Sequence, residues 1–91
     1  MAPVKEEKIE DIVVTVRGIL EAYGRLGDGP LEVSDEDDLY DAGMTSHASV
    51  DVMLALEGRF DLEFPEEMLR REVFRTVSSI SNAIQELSKS E

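Results

Sequence analysis

The chain has 91 residues, no cysteine, 42% hydrophobic residues, and 9 basic against 21 acidic side chains, for a net charge of −12 at pH 7. That length predicts one domain, residues 1–91, near the lower limit for a core without staples, with 1–5 and 88–91 frayed at its ends. The missing thiols exclude disulfides and thiolate metal centres, the acidity opposes nucleic-acid binding, and no apolar run approaches the ~20 residues of a membrane span.

The N-terminus MAPVKEEKIE alternates charges and lacks a signal-peptide core, so a cytoplasmic monomer is the expectation. The first strong pattern is Ile9, Ile12, Val13, Val16, Ile19, Leu20 and Tyr23, whose steps of three and four draw one helical stripe. Gly24 follows it as a C-cap. From Gly24 to Thr45 the periodicity fails: four glycines, a proline and an acidic run predict a long loop. Leu26, Leu31, Val33, Leu39 and Tyr40 are expected to pin that loop to the core, and SDEDDLY can form one capped helical turn. The acids do not make a calcium loop, because Leu39 and Tyr40 occupy the fifth and sixth positions counted from Asp35.

A second helix is predicted from about Ser46 to Phe60. Its residues Ser49, Val52, Met53, Leu56 and Phe60 form one stripe and His47, Val50 and Leu54 a second. A surface helix needs a single buried face, so the first stripe should pack on the core and the second stay available to a partner. Pro65 at a helical first position predicts a minor helix through Leu69. Thr76 then caps a last helix with Val77, Ile80, Ala83, Ile84 and Leu87 on one face. The expected class is all-α: a small antiparallel four-helix bundle, three main helices and one short, with a long first loop.

The segment DAGMTSHASV poses the functional question at Ser46. Ser46, His47 and Asp51 contain the residue types of a hydrolytic triad, but neighbours on a helix point about 100° apart, so Ser46 and His47 do not face each other. A lone histidine is no metal signal, and no metal ligands are expected. Ser46, or Thr45 before it, suits a helix N-cap. A serine opening a helix after a glycine turn also suits covalent attachment of a phosphodiester, which free amides and the helix dipole would favour.

The stretch DLYDAGMTSHASVDVMLALEGRFDLEFPEE resembles the central segment of acyl carrier proteins. An acidic loop and glycine precede a serine that opens a helix; an apolar-rich ALE follows, then Phe, an acid and an apolar–Pro pair. Here these are Asp41, Gly43, Ser46, Ala55, Leu56, Glu57, Phe60, Asp61 and Pro65, and the helix pattern agrees over residues 9 to 87. The resemblance implies that a phosphopantetheinyl transferase places 4′-phosphopantetheine on Ser46, whose thiol then holds cargo as a thioester. It implies no catalysis by the chain itself. It also makes Asp41, Met44, Thr45, His47, Val50, Asp51 and Leu54 contacts for partner enzymes, and Val52, Met53, Leu56 and Phe60 core.

The family's usual Asp-Ser-Leu reads Thr45-Ser46-His47 in this chain. That variant looks more like the stand-alone carriers charged with amino acids by ATP-dependent ligases that resemble seryl-tRNA synthetases. The implied cargo is a small amino acid passed on to a downstream acceptor enzyme. Bulky Met53, Phe60 and Ile84 would leave little room for a long acyl chain, which gains about 0.8 kcal/mol per buried methylene. The alternatives are a carrier of fatty-acyl or polyketide cargo, and a helical adaptor in which Ser46 is only a cap.

Overall fold

The helical spacings become three α-helices, α1 (Ile9–Tyr23), α2 (Ser46–Phe60) and α3 (Val77–Lys89), in a computed structural model that describes residues 8–27 and 30–89. No strand occurs among the described residues. α1 is the central element: it buries Ile12, Val16 and Leu20 at steps of four, and both α2 and α3 pack against it. The minor helix expected after Pro65 is only a 3-10 turn, Glu66–Met68. Pro65 is extended and forms its N-cap, and Leu69 leaves helical backbone space at φ −84°, ψ 64°. Of the termini expected to fray, Ser88 and Lys89 continue α3, while 1–5, 90 and 91 lie outside the described residues.

Each helix end has an identifiable cause. Gly24 caps α1 by donating its N–H to the Leu20 carbonyl at 2.8 Å, yet its own backbone is right-handed. A Cβ at Gly24 would sit 2.7 Å from that carbonyl oxygen, so glycine is needed for close approach. The left-handed residue is the next one, Arg25 at φ 58°. α2 stops at left-handed Asp61, with the Leu62 N–H donated back to the Glu57 carbonyl. Thr76 and Ser79 open α3 as a reciprocal pair: each backbone N–H donates to the other's hydroxyl, at 3.1 and 2.9 Å.

The face of α2 that enters the core holds Val52 and Leu56 of the expected stripe and adds Ala48. Ala48, Val52 and Leu56 are fully buried, whereas Ser49, Met53 and Phe60 are half-buried. The buried line thus runs through Ala48 in place of Ser49, while Met53 and Phe60 still pack against the core. α3 contributes Val77, Ile80, Ala83 and Ile84. The connection supplies Phe64 and Phe74, whose rings meet edge to face with centroids 5.3 Å apart. Such a pair contributes about 0.5–1.5 kcal/mol beyond its buried area.

The long loop is strapped to the helices. Leu39 is fully buried, and Leu26, Leu31, Val33 and Tyr40 pack on the core. Arg17 of α1 donates to the Asp35 carboxylate at 2.8 Å and to the Val33 and Leu31 carbonyls. Asp35 in turn accepts, through its carbonyl, the N–H of Ser78 in α3. SDEDDLY forms turns instead of a helical one. The Asp37 carboxylate takes the Ser34 N–H, and the Asp38 carboxylate takes the N–H groups of Tyr40 and Asp41. Short side-chain acceptors of this kind compete with the helical ladder.

Candidate functional site

The approach to Ser46 is built by one compact turn. The Leu39 N–H donates to the Arg75 carbonyl at 2.7 Å, the Ala42 N–H to the Asp38 carbonyl, and the Met44 N–H back to the Leu39 carbonyl. Gly43 completes the reversal at φ 123°, a backbone conformation that side chains disfavour, with open space where a Cβ would lie. The turn therefore needs glycine for its torsion and not for room.

Thr45 follows in extended backbone and is the N-cap of α2: the Ala48 N–H donates to its Oγ1 at 3.0 Å. That settles which of the two hydroxyl residues caps the helix. Ser46 is the first helical residue and is exposed, and its Oγ makes no hydrogen bond among the described residues. Its carbonyl accepts the Ser49 hydroxyl at 2.8 Å, which occupies Ser49. No acid stands in the first turn of α2.

The remaining residues expected here divide by burial. Asp41, Thr45 and His47 are exposed, Val50 is 49% and Leu54 56% exposed, and all lie on the outer side of the turn or of α2. Met44 is only 2% exposed, so it belongs to the core and not to the contact surface. Its N–H donates to the Leu39 carbonyl, which closes the turn, and its side chain joins the core cluster. Asp51 is half-buried and faces Arg25 across 3.7 Å, so its ion pair is with the end of α1 and not with His47. Among the described residues no base is placed on Ser46, and the triad types do not assemble.

An open groove of about 310 Å³ runs beside Ser46, lined by Tyr40, Val50, Met53, Leu69, Arg71 and Phe74, among others. Sequence reading missed the far wall, because Leu69–Phe74 has no helical period. The visible signal was the Arg70–Arg71 pair in an acidic chain. Of the three bulky residues expected to fill the bundle, only Met53 lines this groove; Ile84 is sealed in the core.

Residues 11–84 match the family model described as "Phosphopantetheine attachment site". An aminoacyl carrier protein of Agrobacterium fabrum is 41% identical over 70 residues, covering 77% of this chain and 84% of the relative. Among solved structures, one similar chain comes from a complex of an engineered Bradyrhizobium japonicum glycine:[carrier protein] ligase with a carrier protein from Agrobacterium tumefaciens and AMP. It has a TM-score of 0.76 and 40% identity, over 80% of this chain and 97% of that one. Another, from the Bradyrhizobium japonicum ligase with glycylated carrier protein, has a TM-score of 0.62 and 29% identity over 82% and 96%. No described helix is long and apolar enough to cross a membrane.

Proposed function

We propose, since this chain belongs to the phosphopantetheine-attachment family of carrier proteins, that it is an aminoacyl carrier modified on Ser46. The observation that carries the reading is the division of labour at the start of α2. Thr45 satisfies the helix end, and the Ser46 hydroxyl is left exposed and without a hydrogen bond. The open groove beside that hydroxyl gives a phosphodiester-linked arm room to leave the surface. The arm supplies the thiol that a cysteine-free chain lacks, for holding an aminoacyl group as a thioester.

The chain's own part is to carry and present. A phosphopantetheinyl transferase, an amino acid:carrier protein ligase and a downstream acceptor enzyme each act on it, and it catalyses none of these reactions. Asp41, Thr45, His47, Val50, Asp51 and Leu54 are the contacts for those enzymes; exposed apolar groups rimmed by acids suit such docking. A small amino acid is the cargo; the likeness to carriers that are named aminoacyl or crystallised glycylated supports it. The three helices and the Glu66–Met68 turn act as one antiparallel four-element bundle, a single monomeric domain working in the cytoplasm.

The adaptor alternative is the weaker reading, since the family match and the aminoacyl carrier relative favour a carrier and Thr45 does the capping assigned there to Ser46. The test of cargo is to offer the phosphopantetheinylated protein an amino acid with ATP and an amino acid:carrier protein ligase, and separately a fatty-acyl ligase. Mass spectrometry should find an aminoacyl thioester in the first reaction. Efficient fatty-acyl loading, with no amino acid accepted, would instead make it a fatty-acyl carrier.

A further inference from the structure

Arginine is unevenly placed in this acidic chain. Three of its nine basic residues, Arg70, Arg71 and Arg75, fall in the short segment before α3, against a net charge of −12. That segment forms the far wall of the groove beside Ser46, and both Arg70 and Arg71 line it. Arg71 is held over the Tyr40 ring with its guanidinium carbon 4.0 Å from the centroid, and Arg75 faces the Asp38 carboxylate at 3.6 Å. Arg70 is exposed and makes no ion pair among the described residues. No Asp or Glu lines the groove. Its walls expose apolar surface on both sides, Val50 and Leu69 each at 49%.

This combination of a cationic mouth, an apolar floor and a serine at the rim has a chemical complement. A phosphodiester on Ser46 carries one negative charge that planar guanidinium groups bind well. The pantetheine that follows it offers methyl groups and amides to Val50, Met53, Leu69 and Phe74. We propose that Arg70 and Arg71 clamp the phosphodiester and seat the near half of the arm in this groove between loadings. Arg71 is the fixed member, oriented by Tyr40, and Arg70 the mobile one that closes on the phosphate. The aminoacyl end carries a positive charge, so the same arginines hold it away from the groove mouth and leave the cargo outward for partner enzymes. This inference rests on Ser46 as the attachment site.

The test compares amide NMR spectra of the apo protein and of protein converted with a transferase and coenzyme A, with conversion at Ser46 verified by intact mass and peptide mapping. Shifts should extend beyond the first turn of α2 to Val50, Met53, Leu69 and Phe74. Raising NaCl to about 1 M, where the Debye length falls to about 3 Å, should remove at least half of the shift at Leu69 and Phe74. The holo form of Arg70→Gln/Arg71→Gln should lose those distant shifts and show a moved phosphorus-31 resonance, whereas Arg70→Lys/Arg71→Lys should retain part of both. Modified protein whose shifts stay within Ser46's own turn, or persist unchanged in high salt, overturns the clamp while leaving the attachment site intact. Failure of Ser46 to take the arm at all overturns both.

Discussion

The starts of α2 and α3 solve the same problem with the same residue and differ in what they leave over. At α3, Thr76 caps the helix and the hydroxyls of Ser78 and Ser79 are both engaged. Ser79 shares the cap and donates to the Val73 carbonyl at 2.8 Å, and Ser78 donates to the Glu36 carboxylate of the long loop. At α2, Thr45 caps alone, Ser49 bonds the local carbonyl, and Ser46 has nothing to bond. One helix start is tied into the fold and the other ends at solvent beside an open groove. A serine at a helix N-terminus is therefore informative only when another residue does the capping.

That contrast can be broken by stability measurements, strongest first. Leu56 is fully buried and Leu54 lies two residues away on the open face. Leu56→Ala should cost about 2–5 kcal/mol in urea denaturation, and Leu54→Ala less than about 0.5 kcal/mol. The reverse order would mean that α2 presents the opposite face to the core. Next comes Gly43→Ala: its Cβ meets open space, so the cost is backbone strain alone, of the order of 1–3 kcal/mol. A neutral result would show that the turn before Ser46 relaxes without glycine.

The two caps should be closer in size. Thr45→Ala and Thr76→Ala are each expected to lose about 1 kcal/mol, because each removes the hydroxyl that accepts one backbone N–H, that of Ala48 at α2 and that of Ser79 at α3. If Thr45→Ala proved neutral while Ser46→Ala destabilised, the cap would belong to Ser46 after all.

Much of this was legible in the sequence, for a specific reason: helical burial repeats locally. The stripe of α1, the Thr76 cap, the pinned loop and the open pair Val50 and Leu54 all follow from spacing or from local bonding. What stayed hidden depends on contacts between distant segments. Ala48 has too small a side chain to announce itself as core, although it is fully buried. Met44 looked like surface because it precedes the serine, but the Leu39–Met44 bond closes the turn and buries it. The Arg17 strap, the Phe64–Phe74 contact and the arginine wall of the groove join residues with no shared period.

The smallest stability effect belongs to the residue with the largest functional one, and this pairing is the sharpest test available. Ser46→Ala should unfold within about 0.5 kcal/mol of the parent, since it removes no cap and no buried group. The decisive measurement is intact mass after incubation with a phosphopantetheinyl transferase and coenzyme A, run on the parent chain, Ser46→Ala, Ser34→Ala and Ser79→Ala. The parent, Ser34→Ala and Ser79→Ala should each gain a single arm and Ser46→Ala none. An arm on Ser46→Ala, or no arm on the parent with several transferases, would contradict the assignment of Ser46 as the attachment site.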